Sequence, residues 1–360
     1  MKHQEEYRDP GISKKLIKRI NAISKKPVRL MEVCGTHTMS IFRHGIRSVL
    51  PENITLLSGP GCPVCVTSQK DIDAFIALSK ERDVIIATFG DLMRVPGSES
   101  SLQKEHAQGR DIRMVYSPLD AVKLAEDNPG KNIIFPGVGF ETTIPTVGMS
   151  IILAAGKNLE NYFVYSAHKL VPPALEALMR NSKVVMDGFI LPGHVSVIIG
   201  TNAYVPFFER FNFPCVVTGF EPVDILKGIL NLVEQIETDN PHLDNEYKRA
   251  VTAEGNKKAL ELIGEVFQVK NTQWRGLGTI NKSGLGIQEA YKRFDAEKAF
   301  YINVPEHEDV KGCICGEVLT GMKTPPECPL YKKVCTPLDP VGTCMVSTEG
   351  TCAAYFRFHK

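Results

Sequence analysis

Apolar positions along the chain gather into two kinds of run. Short runs rich in β-branched residues occur at Val28 to Val33, Ile54 to Leu57, Val84 to Ala87 and Ile112 to Val115. Each is followed by a Gly- or Pro-marked turn, the pattern of a strand and its exit. Stretches with helical spacing, such as Gln69 to Ser79 and Leu119 to Asp127, follow several of them. A second series runs through Ile133 to Phe135, Tyr162 to Tyr165, Gly188 to Leu191 and Cys215 to Val217. Strands apolar on both faces and alternating with helices predict parallel sheets covered by helices, an α/β fold.

The two series are similar at a constant offset. Gly35, Thr38, Pro118, Asp120 and Lys123 each recur 104 residues later, as Gly139, Thr142, Pro222, Asp224 and Lys227. This predicts a duplication, with one α/β domain over 28–130 and a similar one over 131–236. The copies differ in chemistry: Cys34 aligns with Val138, Cys62 with Ser166 and Cys65 with Lys169. Beyond Ile236 the chain reads as helical and charged, then as loop-rich from Tyr301, with six of the ten cysteines. A third, mixed domain over 237–360 is expected there. The helical stripe Leu16, Ile17, Ile20 and Ile23 gives residues 1–27 a face to pack on any of the three, the third domain being one candidate.

Composition narrows the function classes. With 360 residues, 43% of them hydrophobic, the chain has material for two or three cores. Lys plus Arg number 42 and Asp plus Glu 41, so no excess charge points to nucleic acid or an anionic membrane surface. No apolar run approaches the roughly 20 residues that span a bilayer. The polar start is unlike a secretory signal, so a cytoplasmic protein is expected. Ten cysteines in a reducing compartment favour metal or redox chemistry over structural disulfides.

The cysteines form two arrangements. Cys313, Cys328, Cys335 and Cys352 are separated by fourteen, six and sixteen residues on a proline-broken segment. Four soft thiolates on bendable loops suit an iron-sulfur cluster, although the spacing is wider than in ferredoxins. Cys315 and Cys344 fall outside that spacing and read as spectators, and Cys215 reads as core. Near the N-terminus, Cys34 precedes Cys62 and Cys65. A Cys-x-x-Cys pair opening a helix favours thiolate and reversible disulfide formation. The loops at Cys34 to Thr38, Gly59 to Cys65 and Thr88 to Asp91 each follow a predicted strand, so they are expected to converge where parallel strands end. His37 beside Cys34 is a candidate to hold a proton, bond the thiolate or ligate metal. Glu141, His168 and His194 are candidates to line an interdomain cleft. The glycines after Ile133 to Phe135 lack the Lys of a phosphate loop and the third Gly of a dinucleotide fingerprint, so nucleotide binding has no support.

Taken together, Cys34-Gly-Thr-His-Thr38, Gly59-Pro-Gly-Cys-Pro-Val-Cys65, Gly139-Phe-Glu-Thr-Thr143, Pro192-Gly-His-Val-Ser196 and the C-terminal cysteine spacing resemble the HypD family of hydrogenase maturation factors. The likeness runs from about residue 28 to the C-terminus. It implies a scaffold, paired with a HypC-like chaperone, on which an iron acquires two cyanides and one carbon monoxide before passing through HypC to the large subunit of a nickel-iron hydrogenase. Cyanide would come from HypE as a thiocyanate made with HypF. By motif, Cys34 would ligate that iron with His37 close by, Cys62 and Cys65 would be its redox pair or further ligands, and Cys313, Cys328, Cys335 and Cys352 would hold a 4Fe-4S cluster. Two rivals remain: a free-standing iron-sulfur thiol/disulfide oxidoreductase, and a zinc-binding interaction module. Neither needs the Cys34 loop.

Overall fold

The computed structural model describes residues 5–304 and 311–359. Of the cysteine-bearing segment predicted over 237–360, residues 305–310 and 360 lie outside the described part, as do residues 1–4 of the N-terminal stretch. Eight strands fall where the apolar runs place them: β1 (Val28–Glu32), β2 (Ile54–Ser58), β3 (Val84–Thr88), β4 (Ile112–Met114), β5 (Asn132–Gly137), β6 (Tyr162–Ser166), β7 (Gly188–Pro192) and β8 (Cys215–Thr218). A short β9 (Leu243–Asn245) and the pair β10 (Phe267–Trp274) and β11 (Gly278–Ile287) complete the set.

The strands pair into two parallel sheets, ordered β2-β1-β7-β8-β9 and β4-β3-β5-β6, and one antiparallel ribbon, β10-β11. The α/β class with parallel sheets is therefore as expected, but the sheets do not divide between 28–130 and 131–236. The first sheet joins β1 and β2 to β7 and β8, and the second joins β5 and β6 to β3 and β4. The offset of 104 residues survives in the elements: β1 and β3 start at Val28 and Val84, β5 and β7 at Asn132 and Gly188, and the helices Pro118–Asp127 and Pro222–Glu237 start at equivalent prolines. Matched strand for strand, β2-β1-β7-β8 and β6-β5-β3-β4 are the same arrangement. Of the two stretches expected as copies, each places its last two strands in the sheet that holds the other's first two.

Alternation along the strands sets the layers. In the first sheet Met31, Leu57, Phe189, Leu191 and Val217 face one buried cluster, and their neighbours Leu30, Leu56, Ile190 and Val216 face another. In the second sheet Ile86, Ile134 and Phe163 join that first cluster, while Ile85, Ile133 and Val164 join a third. Successive side chains of a strand point to opposite faces, so each sheet gives one face to a shared core and the other to its own helices.

Three further placements differ from expectation. The helix Pro10–Ile23, capped by the Asp9 carboxylate on the N–H groups of Gly11 and Ile12, packs Ile20 against the helix Pro222–Glu237 of the first sheet rather than on the C-terminal segment. The charged stretch after Ile236 is not wholly helical. After the helix Lys257–Val266 it forms β10 and β11, whose inner residues Phe267, Leu285 and Ile287 cover the second sheet. Polar residues on the ribbon's outer face hide its strand character from a hydrophobicity reading. Finally, Cys315, Leu319, Cys344 and Val346 lie in the same buried cluster as Cys65 and Val66, so the cysteine-rich segment shares the central core.

Candidate functional site

Cys34 lies just beyond the end of β1, in the extended conformation that caps the helix Gly35–Arg43. Its loop rests on the one following β2. The Gly35 N–H donates to the Gly61 carbonyl at 3.0 Å, and a β-carbon at Gly61 would sit 2.1 Å from the Cys34 nitrogen. Only glycine admits that approach, and it sets Cys34 against the residue that precedes Cys62. The buried Glu32 carboxylate accepts the Cys34 N–H at 3.2 Å and the Thr38 hydroxyl, which clamps both ends of the loop. Burial holds the Glu32 carboxyl up to about 7, opposed by hydrogen bonds from Thr38 and Ser58.

Two of the three expected loops converge. The third, at Thr88 to Asp91, stays with the second sheet, where Phe89 packs edge-on against Phe135. The C-terminal segment takes its place beside Cys34. Thr36 donates its hydroxyl to Glu349 at 2.6 Å, and a β-carbon at Gly35 would meet the Glu349 side chain at 2.5 Å. Burial pushes the Cys34 thiol up to about 12, and the Glu349 carboxylate adds to this, while the N–H groups of His37 and Thr36 oppose it. A charge-neutralising cation at this thiol would reverse the balance, because both effects penalise an unpaired thiolate.

His37 is fully buried and turned toward the end of β8. Its Nε2 lies 2.9 Å from both the Gly219 carbonyl and the Thr218 hydroxyl. A carbonyl only accepts, so Nε2 carries the proton and Nδ1 is left as a buried acceptor with no partner in the structure. Burial holds the imidazole down to about 4, so it is neutral at neutral pH and does not serve as a proton carrier there. Phe220 stacks between His37 and the exposed His194, with ring centroids 4.5 and 3.9 Å away. Burial lowers the His194 imidazole, and the Glu349 carboxylate opposes this.

Glu141 and His168 occupy the second sheet's loops. Glu141 Oε1 accepts the Val171 N–H at 2.9 Å, Oε2 is unpartnered, and burial raises its carboxyl to about 7. His168 Nδ1 pairs with Ser166 Oγ at 3.0 Å, and the ring packs on Phe267. It is a core residue rather than a cleft residue.

Cys62 and Cys65 are joined as a disulfide with their α-carbons 5.2 Å apart, Cys62 capping the short helix Pro63–Val66. Behind them lies the C-terminal thiol group. Cys313, Cys315, Cys328, Cys335 and Cys352 line one cavity together with Tyr331. All four cysteines of the predicted cluster set are thus brought together. Among the described residues no three metal-binding side chains converge on a single point. Burial raises the Cys335 thiol, and the Val341 N–H, which donates to its Sγ at 3.4 Å, opposes this.

Of the two expected spectators, Cys315 lines the same cavity and Cys344 lies with it in the shared buried cluster. Hydrogen bonds from Cys313 and Cys344 hold Cys315 well below the usual thiol range, and the same contacts hold Cys313 and Cys344 above it. Thr343 lies between this group and the N-terminal pair, its hydroxyl bonded to the Cys65 carbonyl at 3.1 Å and 3.9 Å from Cys315 Sγ. Arg275, from the β10-β11 turn, bonds the Thr67 carbonyl and Gln69, so a buried cation also stands at this junction. Glu349, Thr343 and Arg275 carry no local sequence signal, since their roles come from packing between distant segments.

Comparison with known proteins agrees with the motifs. A family model described as HypD, hydrogenase formation hypA family, matches residues 11–359. The hydrogenase maturation factor HypD2 of Bradyrhizobium diazoefficiens is 45% identical, with 100% of this chain and 97% of the relative aligned. The hydrogenase maturation factors HypD of Azotobacter vinelandii and Rhodobacter capsulatus are 43% and 44% identical, over 100% and 99% of this chain and 97% and 98% of theirs. The motifs, the full-length match and the level of identity together show that the chain belongs to the HypD family of hydrogenase maturation factors.

Proposed function

We propose that this maturation factor is the scaffold on which a hydrogenase iron receives its cyanide and carbon monoxide ligands. The observation that supports this most directly is the contact of Gly61 with Cys34, which sets a lone buried thiol beside a dithiol pair and under a mouth rimmed by Glu349 and His194. The Cys34 thiolate is the ligand of the cargo iron on this side, with the second thiolate supplied by a HypC-like chaperone. A soft donor from each partner suits low-spin ferrous iron and lets the site open for transfer toward the hydrogenase large subunit. His37 offers only Nδ1, so its first task is to fix the Cys34 helix to Thr218 and Gly219.

Releasing cyanide from a thiocyanate, such as HypE would present, takes two electrons and leaves a thiol. Closing Cys62 and Cys65 to a disulfide supplies two electrons and two protons, so the step balances. Cys313, Cys328, Cys335 and Cys352 fit a 4Fe-4S cluster by donor type and by lining one cavity. When bound, such a cluster supplies electrons one at a time. Cys315, which lines that cavity, lies 3.9 Å from the Thr343 hydroxyl that bonds the Cys65 carbonyl, a position suited to recharging the pair by thiol exchange. Among the described residues no helix is long and apolar enough to cross a membrane, and we place the scaffold in the cytoplasm with its partners.

The test is anaerobic co-purification with a HypC-like chaperone, followed by infrared spectroscopy. Bands of metal-bound cyanide and carbon monoxide in the complex are expected. A complex that carries the brown cluster and never shows those bands would favour the free-standing oxidoreductase instead.

A further inference from the structure

Tyr331 lies in the chain between two cysteines of the expected cluster set, and the backbone ties this turn to both. Its N–H donates to the Cys328 carbonyl at 3.1 Å, and the N–H of the next residue, Lys332, donates to the Cys335 carbonyl at 3.2 Å. Tyr331 is 9% exposed and packs in one buried group with Cys335, Met345 and Tyr355. Its ring meets Phe356 edge-on, with centroids 6.3 Å apart. Backbone and ring are both held.

Among the described residues that line the cavity of C-terminal thiols, Tyr331 is the only one whose side chain carries an oxygen or a nitrogen. Apart from the cysteines, the other side chains there are apolar, Val318, Leu330 and Met345 among them. The Tyr331 hydroxyl oxygen is buried and has no hydrogen-bond partner among the described residues. Leaving such a group unpaired costs about 1–3 kcal/mol, and buried polar groups are as a rule hydrogen-bonded. Phenylalanine would fill the same space without that cost, so packing does not account for the oxygen. A hydroxyl on the wall of this cavity finds its use in a group that the thiols bind, because thiolate and sulfide accept a hydrogen bond where the apolar lining does not.

We infer that the Tyr331 hydroxyl donates a hydrogen bond to the group that the cavity's thiolates hold, and so sets how readily that group accepts an electron; the inference rests on the cluster reading given above. The physical reason is charge. Reduction makes the sulfurs more negative, and a donor stabilises the more negative state more strongly, so each such bond raises the reduction potential. The Val341 N–H on Cys335 Sγ acts in the same sense. That donor belongs to the backbone, and no side-chain substitution removes it. Tyr331 is therefore the position at which a single oxygen adjusts the potential without changing a ligand.

The experiment uses the full chain, purified anaerobically. Iron and sulfide are measured first, and the reduction potential is then read from the loss of brown colour in a mediated redox titration. Tyr331→Phe removes the hydroxyl and keeps the ring. It should hold iron and sulfide at the wild-type level and shift the reduction equilibrium about fivefold toward the oxidised form, the worth of one buried hydrogen bond. At about 59 mV per tenfold for one electron, the potential should fall by about 40 mV. Phe356→Leu disturbs the packing of the Tyr331 ring and keeps the hydroxyl, and it should move the equilibrium by less than about twofold. Should Tyr331→Phe not fold, wild-type sequence made with ring-fluorinated tyrosine carries the test with the opposite sign, since its hydroxyl is a stronger donor and should raise the potential. A phenylalanine variant with full iron and an unchanged or higher potential, a leucine variant shifted as far, or fluorinated protein with no rise overturns the role of Tyr331 alone. A wild-type chain that binds no iron and sulfide overturns the cluster reading itself.

Discussion

Thr36 donates its hydroxyl proton to Glu349 Oε1 at 2.6 Å, and this bond fastens the C-terminal segment onto the loop that carries Cys34. Glu349 stands only three residues before Cys352, so the mouth above Cys34 and the cavity of C-terminal thiols are two sides of one short stretch of chain. Cys34 was expected to sit in a different domain from the cluster cysteines. The structure brings Glu349, three residues before Cys352, onto the Cys34 loop.

The Glu349 carboxylate is the second cause, after burial, of the raised Cys34 thiol. Glu349→Gln removes that charge and keeps an oxygen for Thr36 to donate to. Cys34 should then ionise more readily, and its rate of alkylation by iodoacetamide at pH 8 should rise about threefold, the effect of one partly screened charge. An unchanged or lower rate would show that Glu349 acts on Cys34 only through packing.

Gly61 tests the contact between the two N-terminal loops. The atoms an added β-carbon would meet are the Cys34 nitrogen at 2.1 Å and the Cys34 α-carbon at 2.4 Å, and backbone atoms have no rotamer by which to move aside. Gly61→Ala should therefore destabilise the protein by roughly 1–3 kcal/mol, as overpacked cores do. Gly264→Ala is the control: it lies in the helix Lys257–Val266 with no atom within 4 Å of the added carbon, and should be neutral or stabilising. Urea unfolding of both variants checks the pair, and equal destabilisation would remove the special standing of Gly61.

What the sequence made legible was local. Val28 and Val84 open strands because β-branched runs between turns have few other uses, and the offset that pairs Pro118 with Pro222 marks a true recurrence of helices. Strand partners were not legible. Nothing in Leu30 says that it lies beside Gly188 rather than beside a strand of its own half, since a parallel strand reaches its neighbour through a long crossover. The ribbon β10-β11 was missed for a different reason. Lys270 and Lys282 give it the texture of a solvated helix, and only its inner residues, such as Phe267 and Leu285, betray a covered face. The cysteine motifs were readable because thiols are scarce, whereas Glu349 and Thr343 are common residues made significant by what packs on them.

His168 yields a pH prediction. Burial holds its imidazole down to about 3, against about 6.5 in the unfolded chain. Between those values the unfolded state binds a proton that the folded state does not. The stabilisation is therefore complete above pH 6.5 and is lost as pH falls toward 3. From pH 6.5 to 5 His168 should account for about 2 kcal/mol of lost stability. Glu32 and Glu141, both raised to about 7, act in the opposite sense, favouring the folded state at low pH, so the comparison must be between variants. His168→Gln should lose less stability than wild type over that interval in urea titrations. Parallel profiles would mean that the folded imidazole titrates normally.

Anaerobic protein should contain about four irons and four sulfides, bound by Cys313, Cys328, Cys335 and Cys352. Cys328→Ser should bleach the colour near 400 nm and lower both contents. Cys315→Ser should keep the cluster, because Cys315 falls outside the expected ligand spacing and its sulfur lies 3.9 Å from the Thr343 hydroxyl. The reverse result, with cluster lost in the Cys315 variant and kept in the Cys328 variant, would reassign the ligand set.

Cys34 carries the sharpest expectation. Its side chain is 8% exposed and small, and Glu32 grips the Cys34 backbone N–H rather than the sulfur. Cys34→Ala should therefore leave the loop, the fold and the brown colour in place. It removes the one thiol at the mouth under Glu349 and His194, so the infrared bands of metal-bound cyanide and carbon monoxide should vanish from the complex with a HypC-like chaperone. Cys34→Ser should do little better, since a neutral hydroxyl is a poor donor to soft low-spin iron. His37→Ala breaks the links to Thr218 and Gly219 and empties the space against Phe220. It should lower the bands by loosening the Cys34 helix, and it should lower thermal stability in parallel, which Cys34→Ala should not. If the Cys34→Ala complex kept the bands at wild-type intensity, the iron would have to rest on another thiol. Cys62 and Cys65, held next to Cys34 through Gly61, would then be first in line.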